Sequence, residues 1–380
     1  MNVTDAPTLT RDEAFARIRL LRSPNVGPVS YAQLVRRFGT AADALEALPD
    51  LAARGGGRYK LAEVARISAE IAAVRACGAR YLFHDAPDYP DALGALDSPP
   101  PILTVRGDVA LAAQPTVALV GARNASAAAV RIAREFAAAL AAEGLAVVSG
   151  LARGIDSAAH SGALAGMAQG GGTIGVIASG IDITYPPENA ALQEQVATMG
   201  LLIAEMPPGT EPLARHFPTR NRIIAGLAAG TVVIEAAPKL GSLITARLAG
   251  EAGREVMAVP GSPLDARSHG CNQLIRDGAV LVQSPADILE LLRGFDGAPR
   301  SRVREFQPDG MDDDRHETFF GTDQVESVDL VGLLGVPPIG VDELIRQSGA
   351  AAGAVQMALL ELELAGRLLR HAGGRVSLAG

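Results

Sequence analysis

The 380-residue chain predicts an α/β fold built on a mostly parallel sheet, with a small helical module before it and a winged-helix pattern after it. Three observations predict this. From Pro115 onward, short apolar runs alternate with helical stretches, which implies right-handed crossovers between parallel strands. Residues 11–75 carry only short helical patterns joined by Gly-Pro turns. Residues 328–380 read as two helices, a longer helix and a Gly-Gly hairpin.

The elements follow in order. RDEAFARIRLLRS is a helix ended by a Ser-Pro-Asn turn; NVGPVSYAQLVRRFG and AADALEALPDLAARGG continue the helical module, set at 1–78. Its VGP turn resembles a helix-hairpin-helix, which can bind a DNA backbone, but protein contact or simple packing is the favoured reading. A Pro-rich passage, 80–112, is expected to wrap the edge of the next domain, with ILTVRG as a short strand. The central domain, 79–295, then alternates TVALVG, LAVVSG, GTIGVIASG, LLIAEM, TVVIEAA, REVMAVPG and AVLVQS as strands with the intervening helices. Residues 296–326, with Pro, Gly and few aliphatics, are expected to be a flexible acidic linker, and 327–380 the winged helix.

Composition narrows the class. Hydrophobic residues are 48% of the chain, enough for a large core, while aromatics are 4% and Trp is absent. No apolar run reaches the roughly 20 residues of a membrane span, and the polar start is unlike a signal peptide. Cys77 and Cys271 provide neither a disulfide framework nor metal spacing, so a reducing cytoplasm, no metal and no cofactor are expected. The net charge of -8 is concentrated: Asp296 to Asp329 hold ten acids against Arg300, Arg302, Arg304 and Arg315. The remainder is near neutral, which leaves room for a local basic face. Lys60 and Lys239 are the only lysines, and Arg carries the rest of the positive charge.

Four of the motif strings follow a strand, where ligands of open α/β sheets bind. In VALVGARNAS, Gly121 admits close backbone approach, Arg123 can fork onto a phosphate, and Ser126 is a plausible N-cap for helix amides that attract anions. The string is neither GxGxxG nor a P-loop. VVSGLARGIDSAAH repeats the device: Ser149, Gly150, Ala152 and Gly154 form a tight loop, Arg153 projects, and Asp156 begins a helix. Asp156 and His160 share a helix face as either an acid-base couple or a structural pair; no nucleophile or metal partner lies nearby, which favours structure. HFPTRNRIIAGLA sets His216, Arg220 and Arg222 around Phe217, as a single-strand site needs for stacking and charge, although this string taken alone slightly favours Phe217 as a core staple. The last long helix offers only Gln356, Glu361 and Glu363 as polar residues, a poor set for reading DNA, so a protein-interaction or regulatory role is expected.

Together VALVGAR, SGLARGIDSAAHSGAL, TIGVIASGIDITYPPEN, FPTRNRIIAGL, GSLITARLA and GREVMAVPG, with GCNQLI and DGA, closely resemble the DNA-processing protein A family (DprA, also called Smf) across 115–290. The resemblance implies a Rossmann-like domain flanked by a sterile-alpha-motif-like helical domain and a winged helix. It implies a non-catalytic protein that binds incoming single-stranded DNA in natural transformation, protects it and loads the RecA recombinase, acting as a homodimer. It assigns DNA binding to Arg123, to Gly150, Ala152, Arg153, Gly154 and Asp156, and to Phe217. Arg215, Arg220, Asn221 and Arg222 complete the candidate set, with Gly121, Ser126 and Ser149. Leu274 and Ile275, on a short helix in GCNQLIRDGA, are the expected dimer contact. The chain departs from the family at Pro187 and Ala214, where members often carry Lys; Arg215 or Arg220 are the residues placed to compensate.

Two other readings remain. The Gly-rich turns also look like phosphoribohydrolases of the lysine-decarboxylase-like class, Rossmann-type nucleotide-processing enzymes. Their PGGxGTxxE signature is missing from EAAPKLGSLITAR. A winged-helix regulator with a ligand-sensing domain is disfavoured by the acidic last helix.

Overall fold

The computed structural model describes residues 9–292 and 330–379, apart from positions 239 and 372, so the stretch expected to be an acidic linker lies outside the described residues. The described chain forms two compact units, one from 9–67 with 330–379 and the other from 68–292; the division falls inside a helix.

In the first unit, α1 (Arg11–Leu21), α2 (Pro28–Phe38) and α3 (Ala41–Arg54) form the N-terminal module. Thr10 and Thr40 cap α1 and α3 by accepting from the amides of Glu13 and Asp43, and Pro28 opens α2, where a missing N–H costs nothing. α4 (Val64–Ala76) leads into the second unit.

The second unit is a nine-stranded sheet. Its strands are β1 (Arg80–Phe83), β2 (Ile102–Gly107), β3 (Thr116–Val120), β4 (Ala146–Ser149), β5 (Gly172–Gly180), β6 (Leu201–Met206), β7 (Gly230–Val233), β8 (Glu255–Ala258) and β9 (Val280–Leu281). Their spatial order is β1-β2-β6-β5-β4-β3-β7-β8-β9. All pairs from β6 to β9 are parallel, whereas β1 and β2 add antiparallel to the β6 edge. The Pro-rich passage therefore extends the sheet; β2 was legible, while β1 was not.

The helices between and after these strands are α5 (Asp91–Gly94), α6 (Ala127–Ala142), α7 (Ile155–Gly166), α8 (Ala190–Met199), α9 (His216–Leu227), α10 (Gly241–Glu251), α11 (His269–Arg276) and α12 (Pro285–Leu292). β3 is buried along its whole length because both faces are covered: Val117 and Leu119 join the core with α6, α7 and α12, while Ala118 and Val120 join that with α9, α10 and α11. This period of two on a continuous apolar run is what a parallel strand between helical layers requires. Chain order reverses between β3 and β7, so the switch point and the carboxyl ends of β3, β4 and β5 lie along one rim.

Within the first unit, β10 (Ile339–Gly340), α13 (Val341–Ser348), α14 (Ala352–Leu364), β11 (Leu368–His371) and β12 (Arg375–Leu378) make the winged helix. β11 and β12 pair antiparallel across a hairpin holding Gly373 and Gly374 at positive φ. Of the expected VDLVGLLG helix, the described part is a short 3-10 turn, Val331–Leu333.

Candidate nucleic-acid interface

The loops after β3 and β4 are locked together by backbone. Ala122 donates to the Glu235 carbonyl (2.7 Å) and its own carbonyl accepts from Ile155 (3.2 Å). Gly154, at φ +76, lies where a Cβ would meet the Ala122 carbonyl at 2.3 Å, and a Cβ on Gly121 would meet Ile155 at 2.5 Å. These two glycines shape the rim. Leu151 is fully buried at φ 55, a left-handed geometry that a non-glycine residue keeps only when its surroundings hold it. Asn189 supplies that hold, donating to the carbonyls of Leu151 (2.8 Å) and Ala152 (3.2 Å), while the Asp156 carboxylate accepts from the Ala152 amide (3.4 Å).

Arg123, Gly150, Ala152, Arg153, Phe217 and Arg220 converge on one cavity of about 270 Å³ over the carboxyl ends of β3, β4 and β5. That is below the roughly 300–1,000 Å³ of small-molecule pockets. Phe217 is the centre of the arrangement. The Arg123 guanidinium lies 4.9 Å from its ring centroid, the Arg220 guanidinium 5.9 Å, and the Tyr185 ring 6.0 Å with planes at 60°. The half-buried ring is thus neither a core staple nor an isolated surface aromatic.

Arg220 is buried to 6% exposure and donates to the Val176 carbonyl (3.0 Å). Its guanidinium fills the space over Gly150, where a Cβ would sit 1.6 Å from Nη1. Burial lowers its pKa to about 10, with Asp156 raising it and Arg123 lowering it, so it remains charged at neutral pH. Burial raises the Asp156 carboxyl, and Arg220 opposes that rise. Arg153 is exposed, 3.9 Å from Glu188.

The other candidates lie elsewhere. Ser126 caps α6 and donates through Oγ to Glu235 (2.6 Å), which also accepts the Ser126 amide (2.9 Å). The α6 N-terminus therefore already holds an anion, the Glu235 carboxylate, instead of an open phosphate site. Ser149 is fully buried and donates to the Leu119 carbonyl (2.6 Å). Asn221 donates to the Gly241 carbonyl (3.3 Å), and Arg222 donates to the Ser98 carbonyl (2.8 Å) and forms an ion pair with Glu205. His216 is buried and accepts from the Leu213 amide (3.3 Å). Arg215 is exposed at the N-cap of α9, outside the cavity lining. Half of the dense basic stretch is thus consumed in holding α9.

Asp156 and His160 serve different neighbours. Thr173 donates its single hydroxyl proton to the Val147 carbonyl (3.1 Å), so His160 Nδ1 is the donor in their 2.7 Å contact. Burial lowers the His160 pKa to about 3, which keeps the ring neutral. Tyr185, Asn124 and Asn189 were not among the expected residues, although YPPEN contains two of them; nothing in that string alone says which ring meets Phe217.

Among the described residues no group of three or more His, Cys, Asp or Glu could hold a metal ion, and no helix is long and apolar enough to cross a membrane. Leu274 and Ile275 lie half-buried on α11, packed against the main sheet core.

Comparisons with known proteins agree with this architecture. Family models match at 11–73 (DprA-like N-terminal HHH domain), 80–293 (DNA recombination-mediator protein A) and 323–374 (DprA winged helix domain). The chain is 34% identical over 318 residues to Protein Smf of Synechocystis sp., covering 78% of this chain and 79% of that one. It is 45% identical over 201 residues to the DNA processing protein DprA of Streptococcus pneumoniae, covering 53% of this chain and 70% of the relative. The X-ray structure of the pneumococcal protein superposes with a TM-score of 0.56 at 41% identity, covering 60% of this chain and 78% of that one. A Helicobacter pylori DNA processing protein A, solved to explain its single-stranded DNA binding mode, gives 0.51 at 28% identity, covering 56% of this chain and 96% of that one. This chain belongs to the DNA recombination-mediator protein A family.

Proposed function

We propose that this protein binds single-stranded DNA without catalysis, seating a base on Phe217 and the flanking phosphates on Arg123 and Arg153. The observation that carries this is the Phe217 ring beside two guanidiniums and Tyr185 in the lining of one cavity. A ring offers a stacking face to any base, and the cations serve a backbone of any sequence. Duplex DNA keeps its bases stacked inside and presents none to such a ring. The Helicobacter pylori relative, whose structure addresses a single-stranded DNA binding mode, supports single-strand binding as the activity. Gly150 and Arg220 build the floor, Ala152, Gly154 and Asp156 hold the loop, and Arg215 is the exposed cation placed to stand in for the missing Lys at Ala214.

The family's description as recombination mediators supports a role in natural transformation, in which a cytoplasmic homodimer protects the incoming strand and loads RecA onto it. Leu274 and Ile275, only half covered on α11, are the proposed self-contact.

Anisotropy titrations of labelled single-stranded and duplex oligonucleotides across salt test the binding. Single strands should bind more tightly, and affinity should fall steeply with salt as counterions are no longer released to advantage. Arg123→Ala should weaken all sequences alike and flatten the salt slope. Equal affinity for duplex would overturn the proposal.

A further inference from the structure

In a helix-turn-helix the second helix enters the DNA groove, and in the winged helix of this chain that position belongs to α14. No residue of α14 from Ala354 to Leu364 is exposed. Two apolar stripes explain this. Val355, Ala358, Leu359 and Leu362 face the winged helix's own core, while Met357, Leu360 and Leu364 pack into the core of the N-terminal module. A helix apolar on both sides is a helix buried on both sides.

The second contact is finished in polar detail. Gln33 donates to Gln356 (3.0 Å), and Arg54 pairs with Glu361 (2.6 Å). Arg367 donates to the Gly55 carbonyl (3.2 Å). Asn25, in the turn of the helix-hairpin-helix pattern, donates to the Leu364 carbonyl at the end of α14 (3.2 Å). The turn that would present itself to a DNA backbone is thus occupied by the helix that would enter a groove. The backbones also approach closely: a Cβ on Gly55 would lie 2.1 Å from the Glu361 carbonyl oxygen, and one on Gly57 would lie 2.9 Å from the Ala365 Cα.

We propose that α14 is a docking helix whose partner is the N-terminal helical module of the same chain, and that the winged helix does not read duplex DNA. The two terminal modules then fold and open as one unit, although they lie at opposite ends of the sequence.

Hydrogen exchange on the full chain tests this. Gly55 has an ordinary backbone (φ -71), so Gly55→Ala with Gly57→Ala adds volume against α14 without straining Gly55 itself. We expect exchange to quicken at least about tenfold in 41–54 and 352–364 together, with 116–292 unchanged. Gly340→Ala, where a Cβ meets nothing within 4 Å, should change nothing. Gln33→Ala with Arg54→Ala removes contacts without adding volume and should give a smaller change in the same two segments. Unchanged exchange across 352–364 in both double variants overturns the proposal. So does slowing of 352–364 when duplex is added to the wild type. Loss of protection on dilution, as the protein becomes monomeric, would place the partner module on another copy and refute docking within the chain.

Discussion

Gly150→Ala is the sharpest probe of the site, because the added methyl and the Arg220 guanidinium cannot share one space. The new Cβ would lie 1.6 Å from Nη1, 2.5 Å from Cζ and 2.8 Å from Nη2. Ordinary contact needs about 3.5 Å, so the guanidinium must move by roughly 2 Å. That movement breaks its bond to the Val176 carbonyl, a charged hydrogen bond contributing about 1.5–3 kcal/mol, and separates the cation from the buried Asp156. The expected loss is about 2–4 kcal/mol, and single-strand affinity falls with it because a guanidinium displaced into the cavity occupies the place of the base. Arg220→Ala should be costly for the same reasons. In the double variant, however, the methyl enters vacated space. The double variant's loss should then fall short of the sum of the two single losses by at least about 1.5 kcal/mol. Urea unfolding followed by circular dichroism reads this, with constant m confirming that stability alone changed. Additivity within about 0.5 kcal/mol would show that the guanidinium does not lie over Gly150.

Three further outcomes follow from the geometry. Phe217→Ala should weaken single-strand binding by about 1–3 kcal/mol and leave the salt slope unchanged, whereas Phe217→Trp keeps a stacking face; a melting curve that drops as far as affinity would instead make the ring structural. His160 stays neutral to about pH 3 when folded but takes up a proton below about 6.5 when unfolded, so the unfolded chain binds the extra proton in that window and stability falls as pH falls. The slope is about 1.4 kcal/mol per pH unit, Asp156 works in the opposite direction, and His160→Asn should lack this contribution in denaturation measured at several pH values. Leu274→Arg should give a folded monomer by light scattering, and a persistent dimer would move the self-contact elsewhere.

What was legible in the sequence was the periodic part. Runs such as TVALV and LLIA are continuous and apolar because these strands are covered on both faces, and this pattern needs no partner to be read. β1 escaped because RYLF is short, lies in a Pro-rich passage and is a strand only by pairing with β2. The site was legible as a set of residue types, not as a set of directions. Arg220 and Arg222 are two apart on α9, yet one lines the cavity and the other pairs with Glu205, a difference decided by helix rotation against the sheet. Ser126 read as an open N-cap because its occupant, Glu235, comes from the loop after β7, 109 residues away. The α14 helix read as unfit for DNA from Gln356, Glu361 and Glu363; what those residues meet, Gln33, Arg54 and Arg370, only the fold supplies.

Glu235 also carries the last prediction, that purified protein turns over neither nucleotides nor DNA. A hydrolase at this rim needs a general base or nucleophile within about 3 Å of the reacting atom and free to take a proton. Three buried groups come nearest. His160 donates to Thr173 and is held far below the pKa of a working base. Asp156 braces the Ala152 amide beside the Arg220 cation. Glu235 has one carboxylate oxygen on the Ser126 amide and the other on its hydroxyl, which fixes the start of α6 and engages both oxygens within the protein. Glu235→Gln keeps the shape but offers the Ser126 amide and hydroxyl one oxygen in place of two, so it should lower thermal stability while nucleoside monophosphates and single-stranded DNA pass through chromatography unchanged in both proteins. A product formed by the wild type and lost in Glu235→Gln would reverse the assignment and make the β3–β7 switch point a nucleotide-processing site.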